Sequence, residues 1–302
     1  MAVHYLSPKS NFIFKQIFGD QRNADILGGF LQAVLDLPAE EYDRLTIVDP
    51  HLTPGRESDK LSILDVRLHT KSGNTIDVEI QLTNHPNLRE RIVFYLARMI
   101  AGQIGEGERY SALKRSICIL IADFRVVADN ERYHNRYRLY DPKTGSCFTD
   151  LMEINVLEIP KLPYEEDNTA LWDWMRFLEP RGKEDYEMLA ERNMQIGRAV
   201  AVLKELSEDE RTRLLEESYQ KARWDEEIRM EAAVTEGRIE GLTEGRIEGL
   251  TEGRIEGLAE GARKVAIKML RGNMPIQTIA LMTELPVEEI ERLRASLGAQ
   301  GM

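Results

Sequence analysis

The sequence predicts an α/β domain with a mixed sheet flanked by helices, followed by a long helical C-terminal appendage. Three observations carry this. Residues 61–82, LSILDVRLHTKSGNTIDVEIQL, alternate apolar and polar side chains around a turn, the pattern of a hairpin with one covered face. Residues 115–124 form a nearly continuous apolar run, as a central strand covered on both faces requires. From about residue 184 the pattern turns helical and charged. It leads into three copies of TEGRIEGL and a fading fourth.

The 302 residues suffice for a domain at 1–183, a helical linker at 184–262 and a small helical module at 263–302. An apolar content of 42% excludes a mostly disordered chain. No apolar run nears the ~20 residues that span a bilayer, so no membrane partner is expected. The first residues show no secretory signal, and two cysteines make neither a disulfide framework nor a zinc site. A reducing cytoplasm is the expected location. The net charge of −12 argues against binding nucleic acid by global attraction. Residues 204–260, however, hold nine basic and seventeen acidic side chains, so much of this acidity belongs to the appendage.

In chain order, Ser10 is expected to cap a helix over 11–18 that Gly19 ends. A second helix places Leu27, Phe30, Leu31, Val34 and Leu35 on one face, and Leu37-Pro38 stops it. Residues 46–48 add a short strand, and 50–60 a polar loop. A helix over about 87–104 carries the stripe Leu88, Ile92, Tyr95, Met99 and Gln103. Arg89, Arg91 and Arg98 give it a basic side. Strands follow at 115–124, 133–140 and 155–159, then a helix at 171–178 whose Trp172 and Trp174 serve packing.

The repeat tract makes a poor solitary helix. Its seven glycines cost about 0.8–1.0 kcal/mol each relative to alanine, and its glutamates recur every four residues, which is repulsive. Ile239, Leu242 and their repeats offer an apolar seam, so a homo-oligomer through the C-terminal helical region is expected rather than a flexible tether. Residues 262–297 resemble a helix-turn-helix in layout. The second helix opens Val287-Glu288-Glu289-Ile290-Glu291, with acids where phosphates would lie. The module therefore reads as a packing or dimerising unit, not a DNA reader.

The hairpin holds the candidate site. A three-residue loop, Lys71-Ser72-Gly73, pairs Thr70 with Asn74 and sets Asp65 opposite Glu79, about 5 Å apart at Cβ. Gln81 stands beside them. Two adjacent carboxylates repel unless a cation lies between them, and hard oxygens suit Mg²⁺ or Mn²⁺. Alternation alone favours a solvated acidic face over a metal site.

Asp65, the turn, and Glu79-Ile80-Gln81 resemble the active-site hairpin of the PD-(D/E)XK nuclease superfamily in its D...ExQ variant. More narrowly, the chain resembles the Rpn family of recombination-promoting nucleases, also described as transposases. NFIFKQIFGD at residues 11–20, residues 91–95, residues 110–124, Leu157-Glu158-Ile159-Pro160-Lys161 and the Gly-Arg repeats carry the resemblance over nearly the whole chain. It implies a PD-(D/E)XK nuclease-like fold and a Mg²⁺-dependent (or Mn²⁺-dependent) DNA endonuclease, linked to DNA recombination or defence against foreign DNA. Asp65 and Glu79 become metal ligands, with the Ile80 carbonyl as a further candidate oxygen. Gln81 takes the third catalytic position, where lysine is usual. An acid from the helical region is common in the superfamily. Asp20 and Asp25 are available, and Asn11 stands where relatives often show Asp. Lys60, Arg89, Arg91 and Arg98 are candidate DNA contacts, and His85 a candidate proton carrier. The alternatives are a catalytically degenerate nuclease-fold assembly protein associated with DNA and, less favoured by the acidic second helix, a transcription regulator.

Overall fold

The computed structural model describes residues 4–52 and 62–299. Helix α1 (Asn11–Phe18) buries Ile13, Phe14, Ile17 and Phe18, positions that helical spacing places on one face. The expected Ser10 cap does not form. Its hydroxyl is turned instead to the buried Glu216 carboxylate, to which it donates at 2.6 Å. Next come α2 (Ala24–Val34), β1 (Thr46–Val48), a small pair β2 (His51–Leu52) and β3 (Ser62–Ile63), then the hairpin β4 (Val66–His69) and β5 (Thr75–Gln81). Helix α3 (Leu88–Ala101) crosses to β6 (Ser116–Ala122), and β7 (His134–Tyr140) and β8 (Cys147–Glu158) follow. Helices α4 (Ala170–Leu178), α5 (Lys183–Arg192), α6 (Met194–Glu208), α7 (Glu210–Arg271), α8 (Ile276–Thr283) and α9 (Val287–Ala299) complete the chain.

The larger sheet runs β1-β4-β5-β6-β8-β7. The pairs β5–β6 and β6–β8 are parallel and the others antiparallel, so the sheet is mixed. Strand β8 begins at Cys147, well before the expected residue 155. Its first half pairs with β7 at the exposed edge and so lacks the apolar signature of a covered strand.

On one face, Ile76, Val78 and Ile80 join Ile117, Ile119 and Ile121 against α1, α2, α4, α5 and α6. Trp174 lies wholly buried there among Phe18, Phe30 and Phe177. On the other face, Leu88 and Ile92 of α3 cover Cys118, Leu120 and Val156. Leu64, expected beside Val66 and Leu68, packs instead with Leu96 and Met99. The chain bends at Asp65, between β3 and β4, so the two-residue alternation does not carry across it.

The first compact unit extends to Gln220, beyond the expected residue 183. Tyr186, Leu189, Ile196, Ala199 and Leu203 are buried in the same core as α2 and α4. Phe12 stacks on Tyr219 at 5.0 Å between centroids, which ties the start of α7 to α1. In the second unit, from Lys221, the repeat tract is helical. Its Ile239 and Leu242 remain 60% and 66% exposed, and a Cβ added at its glycines would meet nothing. Ala266, Ile279 and Ile290 bury one another in the terminal module. No helix among the described residues is long and apolar enough to cross a membrane.

Candidate active site

The turn between β4 and β5 forms as its length dictates. The Thr70 N–H donates to the Asn74 carbonyl at 3.0 Å, and Gly73 adopts φ 90°. Glu41 clasps the turn from outside, accepting from Ser72 Oγ at 2.8 Å and Asn74 Nδ2 at 3.1 Å. The pairing Val66↔Val78 and Arg67↔Asp77 then carries Asp65 to Glu79. The contact is direct: the Asp65 N–H donates to Glu79 Oε1 at 3.0 Å. The Ile80 N–H donates to Asp65 Oδ2 at 3.1 Å, and Gln81 Nε2 donates to Glu79 Oε2 at 3.4 Å. Asp65, Glu79 and Gln81 therefore form one cluster.

A solvated acidic face is excluded. Glu79 is 3% exposed and Asp77 is fully buried, because α3 lies across this side of the sheet. Burial first, and the charge of Asp65 second, push the Glu79 carboxyl up to about 7. The Asp65 N–H, Arg91 and Lys15 oppose that rise. Burial and then the charge of Glu79 hold the Asp77 carboxyl well above the usual range. Asp77 Oδ2 accepts from the buried Cys118 thiol at 3.4 Å, while Oδ1 has no hydrogen-bond partner among the described residues.

Two residues of α1 enter the cluster. Asn11 Nδ2 lies 3.0 Å and Lys15 Nζ 2.9 Å from Asp65 Oδ1. Sequence reasoning noted Asn11 only for the acid it lacks, and did not single out Lys15. The available signal was their spacing of four, which puts both on one flank of the helix. Asp20 and Asp25 are occupied elsewhere, Asp20 with Arg22 and Asp25 with Arg198. His85 lines a surface cavity with Arg89 and Arg125, apart from the acids.

The expected basic side of α3 divides. Residues 89 and 91 stand about 200° apart around a helix, whereas 91 and 98 nearly coincide. Arg89 donates to the Val126 carbonyl. Arg98 lies 5.9 Å over the Phe94 ring. Arg91 is half-buried, and its Nε and Nη2 are enclosed without hydrogen-bond partners among the described residues. Lys60 falls outside the described residues. Leu96, rather than Tyr95, completes the buried stripe with Leu88, Ile92 and Met99.

The donor set fits a hard divalent cation. Burial raises the Glu79 carboxyl most and the neighbouring Asp65 charge adds to the rise, and such a cation would offset both. Among the described residues no three His, Cys, Asp or Glu side chains converge to hold a metal. A cation held there would have at most a carboxylate pair from these side chains and would need water to complete its shell, which Mg²⁺ commonly accepts. A family model of the PD-(D/E)XK nuclease family transposases matches residues 8–233. No curated protein and no solved structure matches.

Proposed function

Because this chain belongs to the PD-(D/E)XK nuclease family transposases, we propose that it is a divalent-metal-dependent DNA endonuclease acting in DNA recombination or in defence against foreign DNA. The observation that supports this most is the buried Asp65–Glu79 contact, with the Glu79 carboxyl raised to about 7. Asp65 and Glu79 would hold Mg²⁺ or Mn²⁺, with the Ile80 carbonyl as a further candidate oxygen. When bound, the cation supplies Lewis acidity that polarises the scissile phosphate and lowers the pKa of the attacking water. Gln81 orients that water by hydrogen bonding. The water oxygen bonds to phosphorus and gives up a proton to solvent as the P–O ester bond breaks, and the leaving oxygen takes a proton back from solvent. Arg91 faces the same acids and meets the phosphate, while Arg89, Arg98 and Lys60 contact the backbone beyond. Purified protein is expected to nick supercoiled plasmid with Mg²⁺ or Mn²⁺ and to stop in excess chelator. Binding without nicking under all three conditions would favour the degenerate, non-catalytic reading.

The tail makes the protein an oligomer in this proposal. The exposed Ile and Leu seam of the repeats has no cover within the described chain. Two linked sites cut opposite strands at raised effective concentration. Removing residues from 235 onward is expected to lower the mass seen by light scattering and to leave nicked plasmid with little linear product. A truncated protein of unchanged mass that linearises plasmid at the full rate would make the tail a tether.

A further inference from the structure

Phosphodiester hydrolysis builds negative charge on oxygens next to two acids, and Gln81 carries no charge to balance it. The cation in contact with Asp65 comes from another element. Helix α1 buries Ile13, Phe14, Ile17 and Phe18, which turns Asn11 and Lys15 toward Asp65. The Asp65 oxygens are not equivalent. The Ile80 N–H, part of the sheet backbone, holds Oδ2, while among the described residues the Asn11 and Lys15 side chains hold Oδ1. The Lys15 side chain is 37% exposed and that of Asp65 9%. The lysine therefore has room to move on its four-carbon stem, whereas the carboxylate is fixed. A divalent cation on Asp65 would repel the ammonium at Oδ1, but would leave the neutral Asn11 amide in place.

We propose that Lys15 is the mobile cation of this site. It neutralises Asp65 in the free protein, yields Oδ1 when a divalent cation enters, and then pairs with the scissile phosphate. This rests on the proposed reading for its last two steps, the metal site at Asp65 and the phosphate chemistry. A compact ammonium is a good point-charge partner for a phosphate oxygen, and one turn of helix separates it from the amide that keeps Asp65 aimed.

The full-length protein, Lys15→Met, Lys15→Arg and Lys15→Met/Gln81→Lys are compared in two measurements. The first is Mn²⁺ binding without DNA, followed by the electron paramagnetic resonance of free Mn²⁺. Lys15→Met is expected to bind Mn²⁺ roughly five- to tenfold more tightly, since no half-exposed ion pair must be broken. The second is single-turnover DNA cleavage at saturating Mn²⁺, with DNA affinity measured alongside. Lys15→Met is expected to cleave roughly 10²-fold more slowly, with DNA affinity changed by no more than about threefold. Lys15→Arg keeps most of the rate. Moving the charge onto the hairpin in the double variant restores about tenfold or more. Unchanged or weaker Mn²⁺ binding by Lys15→Met overturns the competition at Asp65. Full-rate cleavage by it, or no recovery in the double variant, overturns the phosphate role. Parent and an Asp65→Ala control separate the readings: a parent that does not cleave overturns the nuclease reading, and an Asp65→Ala protein that cleaves as well as the parent overturns the metal site at Asp65, while the Mn²⁺ measurement still tests the Lys15–Asp65 pair.

Discussion

Glu79→Gln is expected to abolish DNA cleavage while making the metal-free protein more stable at pH 8. Cleavage should fall by about 10³-fold or more, because the acid pair loses the charge that holds the cation and Lewis-acid stabilisation amounts to several kcal/mol. Asp65→Ala should lose as much. The gain in stability follows from linkage. The Glu79 carboxyl stands at about 7 in the folded protein against 4.5 ordinarily, so the folded state binds this proton more tightly than the unfolded state. Stability from this group is full below the unfolded value, declines as pH rises through the folded one, and is lost above it. That shift corresponds to about 3 kcal/mol at most, and glutamine removes the charge that causes the loss. The expected result at pH 8 is a Tm several degrees above that of the parent, at roughly 2–4 °C per kcal/mol for a unit of this size. The difference should shrink toward zero near pH 4.5. Melting curves in chelator at both pH values test it. A variant that still cleaves, or one with no stability advantage at high pH, would contradict the picture of a strained acid pair.

The second large effect concerns the segment Leu157-Glu158-Ile159-Pro160-Lys161. The Glu158 and Lys161 side chains are both wholly buried and lie 2.9 Å apart. Glu158 Oε1 also accepts from the Val126 and Val127 N–H groups at 2.7 and 3.0 Å, and Lys161 donates to the Val127 carbonyl. Together they fasten the loop that leaves β6. At the start of that loop, the Asp123 N–H donates to the Gln81 carbonyl at 2.9 Å, and Lys9 pairs with the Asp123 carboxylate at 2.8 Å. Lys161→Met strands a buried carboxylate and is expected to cost about 3–5 kcal/mol. Stability of small domains is about 5–15 kcal/mol in total, so Tm should fall by roughly 10 °C. The double variant Glu158→Gln/Lys161→Met leaves no unpaired charge and should recover part of the loss. Urea unfolding of the parent and both variants decides this. A Lys161→Met protein within about 1 kcal/mol of the parent would mean that the pair contributes little.

Local chemistry sufficed for much of the sheet and for the position of the acids. The length of the Lys71–Gly73 loop and the left-handed φ at Gly73 fix the hairpin register, so the neighbourhood of Asp65 and Glu79 follows from counting residues. The apolar run of β6 required cover on both faces, and α3 and the α1/α2 layer supply it. The apolar face of α1 was legible at helical spacing. Alternation reports on which side of a strand a residue stands, but not what lies over that side. Only the folded chain places α3 above Asp77 and Glu79, turning a hairpin face that could have been wet into a dry one with raised carboxyl pKa values. It likewise turns Leu64 to the opposite face at the Asp65 bend and separates Arg89 from Arg91. Lys15 and Asp65 lie fifty residues apart in the chain, and no local pattern links them. Their contact exists because the core seats α1 against β5, and a buried apolar face there dictates where the polar flank must point.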